Sequence, residues 1–166
     1  MKAAILTISD KAHRGERADK SGPALAAWLE ERGFSIALMK TVPDEQNVIA
    51  DQIIEWAGSG NCDLILTTGG TGVSPRDVTP EATSRVIERE IPGIGEAMRA
   101  ASLAKTPYAI LSRAIAGVRG RVLIVNLPGS PSGAVENLAA VWTAIPHAVK
   151  KIQGDPSECI PARPQN

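Results

Sequence analysis

The chain has 166 residues, and 43% of them are hydrophobic, a composition typical of one globular domain of ordinary size. Lysine plus arginine and aspartate plus glutamate each number 18, so the formal net charge is zero, and only 3% of the residues are aromatic. Such a chain has neither the basic surface nor the stacking platforms of a nucleic-acid-binding protein, and nothing in its charge favours a membrane.

The first half of the chain alternates short apolar runs with helical patterns. The elements predicted there are, in chain order, a strand over residues 2–9, a helix over 23–32 with Ser21 as N-cap and Gly33 as its stop, a strand over 34–42, a helix over 44–57 and a strand over 62–68. The first apolar run is short and charges follow it at once, which is typical of a strand rather than a signal peptide or membrane span. We therefore expect a cytoplasmic protein.

The second half begins with a glycine-rich loop and continues with more helices. The predicted elements are a helix over 79–90 with Thr79 as cap, a helix over 95–104, an extended segment within 108–118, a strand over 122–127 and one long helix over 132–153 despite Pro146. We expect residues 1–154 to form a single domain. The proline-rich remainder, 155–166, is predicted to be a loosely held tail.

Strands that alternate with helices indicate an α/β fold with a parallel sheet and helices on both faces. Ligands of such sheets bind at the carboxyl ends of the strands. Three predicted strands end in polar or glycine-rich segments, which are Thr7–Asp10, Thr67–Gly72 and Asn126–Gly133. Glycines let backbone N–H groups approach a phosphate closely, so these ends predict an anion site on one rim.

The familiar nucleotide and nucleophile motifs are not complete in this chain. There is no GxxxxGK[ST], and Gly70 and Gly93 each begin a GxGxx segment that lacks the last glycine of the dinucleotide fingerprint. The segment Gly129–Gly133 resembles a nucleophile elbow, but Pro131 takes the serine position. Cys62 and Cys159 form no CxxC or Cys/His cluster, which argues against structural zinc and for two reduced thiols.

Two carboxylates and one arginine are candidates for chemistry. Asp44 could cap the helix that follows it, and Asp77 could form a turn with Val78 and Thr79. Alternatively both could hold Mg²⁺ over a bound polyphosphate, because Mg²⁺ favours one or two carboxylates plus phosphate oxygens. Arg113 lies among apolar neighbours, from which it could reach an anion. The two histidines belong to no recognisable catalytic pattern in the sequence, which favours surface or packing roles.

Five segments carry a further signal: TISDKA with DKSGPAL, VPDEQ, TTGGTGVSPRDVTPEAT, ILSRAIAG and NLPGSPSG. In this order they resemble the Mog/MoaB family of molybdenum-cofactor biosynthesis proteins, from Thr7 to about Gly154. The resemblance implies a three-layer α/β sandwich around a mostly parallel sheet with a small antiparallel addition, and it implies a homotrimer. The activity it implies is transfer of AMP from ATP to the terminal phosphate of molybdopterin, with release of pyrophosphate.

The resemblance also implies roles for individual residues. Asp44 and Asp77 fall on the family's two acidic positions, as catalytic residues and ligands of a phosphate-bound Mg²⁺. The substrate-binding positions that it implies are Ser9, Asp10, Gly69, Gly70, Thr71, Gly72, Ser112, Arg113, Pro128, Gly129 and Ser130. Other proteins of the cofactor pathway are possible partners.

Two other functions remain open at this point. One is a non-catalytic molybdopterin-binding or carrier module of the MoaB kind, which has the same fold. The other is a nucleotide pyrophosphatase, since a related domain occurs in CinA-type proteins. The intact pair Asp44 and Asp77 favours the enzyme.

Overall fold

A computed structural model of the chain describes residues 1–157, and residues 158–166 lie outside the described part. The strands are β1 (Lys2–Ile8), β2 (Ser35–Val42), β3 (Leu64–Thr68), β4 (Arg89–Glu90), β5 (Ala116–Arg119) and β6 (Val122–Leu127). The helices are α1 (Asp10–His13), α2 (Ser21–Glu30), α3 (Gln46–Gly58), α4 (Thr79–Val86), α5 (Pro92–Leu103), α6 (Pro131–Val141) and α7 (Ile145–Ile152), with a 3₁₀ helix at Pro107–Leu111. Cys159 and most of the predicted tail are outside the described residues.

The six strands form one sheet in the order β2-β1-β3-β6-β5-β4. The first four strands of that order run parallel to one another, and β5 and β4 add an antiparallel edge. The register places Thr7 beside Thr68, and Thr68 beside Leu127, at the ends of β1, β3 and β6. The three strand ends that were predicted to share a rim therefore do so.

Helices cover both faces of the sheet. Buried side chains of α2, α5, α6 and α7 pack on one face together with Ile5 and Leu66, while those of α3 and α4 pack on the other face together with Leu6 and Ile65. Neighbouring strand residues thus point into opposite cores, which is why these strands read as continuous apolar runs. The predicted three-layer α/β sandwich is confirmed.

One buried polar side chain connects β3 and α4, the two elements that flank the glycine loop, residues 69–77. Asn126 of β6 is completely buried, and its side-chain nitrogen donates hydrogen bonds of 2.9 Å to Thr67 and Thr83. Thr67 belongs to β3, which precedes the loop, and Thr83 belongs to α4, which follows it. Because a buried amide is costly without partners, this network specifies how the two elements meet.

The predicted long helix over 132–153 is wrong, because α6 ends at Val141 and α7 begins at Ile145. Pro146 lies in the first turn of α7, where its missing N–H costs nothing. In a continuous helix the same ring would clash with the preceding turn. The helix predicted to reach residue 90 also ends early, at Val86, and residues 89–90 pair with β5 instead. No helix within residues 1–157 is long and apolar enough to cross a bilayer.

Candidate functional site

A cavity of about 560 Å³ opens at the carboxyl ends of β1, β3 and β6. The predicted site residues that line it are Ser9, Asp44, Gly69, Gly70, Asp77, Gly129 and Ser130. A second cavity of about 310 Å³ adjoins it across Ser130. The predicted residues lining that one are Thr71, Gly72, Ser112, Pro128 and Ser130. Asp10 and Arg113 line neither cavity.

The glycine loop, residues 69–77, leaves β3 through two residues with positive φ, Gly69 at 105° and Gly70 at 63°. A Cβ on Gly69 would collide with the carbonyl oxygen of Ile8, and one on Gly70 would collide with the hydroxyl of Thr79. Thr79 donates from its main-chain N–H to Gly70 and from its hydroxyl to Gly69. The loop therefore folds back on the start of α4, and only glycine fits both positions.

Asp77 closes a turn within this loop. Its Oδ2 accepts a hydrogen bond of 2.8 Å from the N–H of Ser74, and its own N–H donates to the Ser74 carbonyl. The turn predicted for Asp77 thus exists, although its partner is Ser74 rather than Val78 or Thr79. Oδ2 also lies close to Gly72, where an added Cβ would be 2.9 Å away. The carboxylate is held against the cavity wall by its local turn.

Asp44 does not cap the following helix, contrary to the structural role considered for it. The N-cap of α3 is Glu45, whose side chain makes no capping hydrogen bond. Instead, Asp44 Oδ2 accepts a hydrogen bond of 2.7 Å from the N–H of Asp10, and Asp10 Oδ1 accepts one of 3.0 Å from the N–H of Asp44. Arg76 then pairs with both oxygens of the Asp10 carboxylate, at 3.1 and 2.9 Å.

Asp44 and Asp10, which exchange these two hydrogen bonds, differ in the direction of their pKa shifts. Burial, with the nearby Asp10 and Asp77 charges adding to it, raises the pKa of Asp44, although the Asp10 N–H hydrogen bond and Arg76 oppose the shift. The hydrogen-bonded Arg76 guanidinium lowers the pKa of Asp10. Asp44 is therefore a partly desolvated carboxylate that gains from a cation, whereas Asp10 already has one.

Arg113 is directed at the loop from the opposite side to Arg76. Its Nε donates to the carbonyl of Gly72 at 2.6 Å, its Nη2 donates to the carbonyl of Asp77 at 2.5 Å, and its Nη1 pairs with Glu81. Its main-chain N–H donates to Thr71. All these donors serve the loop and its flanking helix. The anion contact expected for Arg113 stays a prediction, and these contacts assign its side chain to the loop.

Three charged residues that line the larger cavity, Arg17, Asp19 and Lys20, were not singled out from the sequence. Thr7, Thr68 and Ser21 line it too, and the sequence had marked them only as strand ends or a helix cap. The Asp19 carboxylate accepts hydrogen bonds from the Thr7 hydroxyl and from the N–H groups of Ser21 and Gly22. Asp19, rather than Ser21, thus satisfies the start of α2. The signal was present, since DKSGPAL reads as an acidic residue just before a helix start.

Arg17 and Lys20 bring positive charge to the cavity wall formed by the segment before α2. Arg17 donates to the Ser9 hydroxyl at 3.0 Å, and both side chains are exposed. The cavity is therefore lined by two cations and by three carboxylates, Asp19, Asp44 and Asp77. The Asp19 carboxylate already accepts hydrogen bonds from Thr7 and from the start of α2. A ligand with several phosphate groups, accompanied by a metal cation, suits the cations together with Asp44 and Asp77.

Residues 4–147 match the model of a protein family described as a probable molybdopterin binding domain. The chain belongs to this family. Membership covers both cavities and the glycine loop, and it confirms the resemblance drawn from the five sequence segments.

Curated members of this molybdopterin-binding family match the chain over most of its length. The molybdopterin adenylyltransferase of Helicobacter pylori is 44% identical, with 91% of this chain and 87% of that protein covered. The molybdopterin adenylyltransferase of Escherichia coli K12 is 38% identical, with 97% and 90% covered. The activity predicted from the sequence is the one for which these relatives are named.

Solved structures of the family share the fold. The molybdopterin biosynthesis enzyme MoaB from Thermus thermophilus has a TM-score of 0.88 and 50% identity, with 95% of this chain and 99% of that chain covered. A CinA protein from Thermoplasma acidophilum has a TM-score of 0.68 at 18% identity, which is a likeness of fold alone. The pyrophosphatase alternative therefore gains no support beyond shared architecture.

Proposed function

We propose that the protein is a molybdopterin adenylyltransferase of molybdenum cofactor biosynthesis. The observation that carries the proposal is the convergence of Asp44, Asp77 and the glycine loop on one cavity of a chain that is 38–44% identical to enzymes with that name. In the reaction, an oxygen of the terminal phosphate of molybdopterin attacks the α-phosphorus of ATP. The bond from that phosphorus to the bridging oxygen breaks, and pyrophosphate leaves.

The donor set fits Mg²⁺ bound jointly by protein and phosphate. Asp44 and Asp77 offer carboxylate oxygens, and no group of three or more His, Cys, Asp or Glu side chains within residues 1–157 could enclose a metal alone. Mg²⁺ commonly takes one or two carboxylates and completes its shell with phosphate oxygens and water. When bound, the cation would offset charge on the transferred phosphate.

Apart from the metal, the reaction requires that the two substrates be held in position, and the residues at the carboxyl ends of the strands can do this. The backbone N–H of Gly70 and the hydroxyls of Ser9 and Ser130 surround the place where we put the phosphates, whereas the N–H of Gly69 donates to the Leu127 carbonyl. The second cavity, with Ser112 and Pro128 on its wall, is where we put the pterin end of molybdopterin. A phosphate oxygen is already nucleophilic, so the reaction needs no histidine base.

We propose a homotrimer as the working assembly. An exposed apolar patch supports association: Leu103, Tyr108, Ile110 and Leu111 are 46%, 76%, 69% and 47% exposed. Four large apolar side chains within nine residues form a surface that a partner subunit would cover. Light scattering should give three times the mass of one chain, and a monomer at micromolar concentration would contradict the proposal. We further propose a cytoplasmic location and contacts with other proteins of the cofactor pathway.

One assay separates the proposed function from its alternatives. The protein is incubated with ATP, Mg²⁺ and molybdopterin, and the products are separated by chromatography. Adenylylated molybdopterin with equimolar pyrophosphate is the expected result. Retention of the pterin without any product would indicate a carrier, and cleavage of nucleotide sugars supplied in parallel would indicate a pyrophosphatase.

A further inference from the structure

One ion pair connects the two segments that carry the site's carboxylates. Asp77 lies in the glycine loop, and Asp44 lies just after β2. Arg76, the neighbour of Asp77, pairs with both oxygens of the Asp10 carboxylate. Asp10 in turn exchanges two hydrogen bonds with Asp44. A continuous set of contacts thus runs from one carboxylate to the other without using the cavity.

The exchange between Asp10 and Asp44 fixes the orientation of the Asp44 carboxylate. Oδ2 of Asp44 is occupied by the Asp10 N–H at 2.7 Å. Oδ1 faces the glycine loop, since a Cβ on Gly70 would lie 3.3 Å from it. Rotation about the last side-chain bond of Asp44 would break the short hydrogen bond. One oxygen is therefore held, while the other is presented to the cavity.

Asp10 is better suited to this positioning than to substrate contact. Its Oδ1 accepts from both Arg76 and the Asp44 N–H, and its Oδ2 accepts from Arg76. Its side chain is 25% exposed, and it lines neither cavity. A bidentate arginine–carboxylate pair fixes geometry as well as charge, because two parallel hydrogen bonds define both distance and plane.

We propose that Asp10 and Arg76 form a latch that sets the spacing and orientation of Asp44 and Asp77. The latch is the pair Arg76–Asp10 with its two hydrogen bonds to Asp44, and Asp10 is its positioning residue. The proposal rests on the proposed function, in which the two carboxylates share one cation. Partners that orient metal ligands typically change metal affinity or activity by about 10- to 100-fold when they are removed.

The chain contains a matched control for this pair. Arg14 and Glu16 form a second bidentate pair close to α1, with distances of 2.7 and 3.0 Å. Their side chains are 54% and 52% exposed, and Arg76 of the latch is 56% exposed. The control pair makes no hydrogen bond to Asp44 or the glycine loop, although the charges of Arg14 and Glu16 both act on Asp10. Glu16→Gln therefore measures the loss of a surface ion pair and of a charge near Asp10 while the Arg76–Asp10 contacts stay in place.

The experiment compares Asp10→Asn, Arg76→Gln and the double variant with Glu16→Gln, all in the full chain. Hydrogen exchange of peptides covering residues 69–78 is measured without substrate. Mn²⁺ binding is measured by paramagnetic resonance with the α,β-methylene analogue of ATP. We expect both latch variants to exchange faster in the loop and to bind Mn²⁺ about 10- to 100-fold more weakly. The double variant should be no worse than either single one, because both changes break the same contact.

Each outcome decides the matter. Wild-type exchange in the loop of folded Asp10→Asn and Arg76→Gln, or additive losses in the double variant, would overturn the latch. Faster exchange with unchanged Mn²⁺ affinity, or no Mn²⁺ binding by the wild type, would overturn its positioning role. Arg76→Lys keeps the charge without the two-pronged geometry and should fall between wild type and Arg76→Gln. If the wild type binds Mn²⁺ but makes no adenylylated pterin, the proposed function fails and the latch does not.

Discussion

Arg113 donates a hydrogen bond of 2.5 Å from Nη2 to the main-chain oxygen of Asp77. Its Nε donates to the main-chain oxygen of Gly72 at 2.6 Å, so one guanidinium bridges Gly72, which precedes the Ser74–Asp77 turn, and Asp77 at the end of that turn. Only a planar fork with several donors can make both contacts at once. Glu81 balances its charge.

Arg113→Lys tests this contact. An ammonium group keeps the charge but has one nitrogen in place of the three that contact Gly72, Asp77 and Glu81, so Asp77 should shift and kcat should fall about 10- to 100-fold, as expected for misplaced catalytic groups. The KM for molybdopterin should change little. Arg121→Lys is the control, because Arg121 bonds to the carbonyl of Gln153 away from both cavities. A raised KM with unchanged kcat would instead assign Arg113 to substrate binding.

We expect alanine substitutions at two glycines of the loop to have different effects on stability and on activity. In Gly72→Ala the new Cβ would lie 2.9 Å from Asp77 Oδ2 while the backbone stays in an ordinary conformation. We predict a normal melting temperature and a large loss of adenylyl transfer. Gly70→Ala should also lose at least about 1–2 kcal/mol of stability, because its φ of 63° is unfavourable for any Cβ and the new Cβ would collide with the buried Thr79 hydroxyl.

Gly58→Ala is the control for both glycine variants, since a Cβ there meets nothing within 4 Å. Thermal melts and single-turnover assays would measure the two effects separately. Full transfer activity in Gly72→Ala would show that the Asp77 carboxylate need not stay where the structure places it.

The parallel strands and the location of the candidate site could be predicted from the sequence, because both depend on short stretches of neighbouring residues. The runs that became β1, β3 and β6 are apolar because both of their faces are buried, and the polar segments after them mark the rim. Asp44 and Asp77 were found because each stands at a strand or loop end. The break between α6 and α7 was missed because Pro146 fits equally well in a first turn and in a kink.

The contacts that organise the site could not be predicted in the same way. Asp10 and Asp44 are separated by 34 positions, and Arg113 and Gly72 by 41. Contacts between residues so far apart in the chain cannot be predicted from a local sequence pattern. Asp44 looked like a helix cap because an acidic residue before a helix usually is one. Only the parallel neighbours β1 and β2 bring it to Asp10 instead.

The buried thiol gives a prediction that is independent of function. Burial raises the pKa of Cys62 to about 11, and the side chain is 5% exposed. At neutral pH it is a protonated thiol without access to reagents. In a Cys159→Ser background, Ellman's reagent should label Cys62 only after denaturation. Rapid labelling of the native chain would contradict the packing of Trp56 and Cys62.

The pair Glu81–Arg113 predicts how stability depends on pH. The Arg113 guanidinium lowers the pKa of Glu81 in the folded chain, so the pair stabilises the fold above the unfolded pKa of Glu81, and this contribution is lost as pH falls through the lowered folded value. Glu81→Gln should therefore lose less stability than wild type between about pH 5 and about pH 3. Glu96→Gln is the control, because no salt bridge between described residues includes Glu96. Equal acid sensitivity of Glu81→Gln and wild type would count against the pair.

The central claim is that Asp44 and Asp77 serve the transfer of AMP by their charge, and single-turnover assays of Asp44→Asn and Asp77→Asn test it directly. Asparagine is nearly isosteric and keeps an oxygen for the N–H of Asp10 or Ser74, so both variants should fold and bind molybdopterin. Transfer should fall on the order of 10²-fold or more, and added Mg²⁺ should partly restore at least one variant. Asp51→Asn, on the exposed side of α3, should behave as wild type. Near-normal transfer by both folded variants would contradict the account and leave Asp44 and Asp77 as structural residues of the loop and its latch.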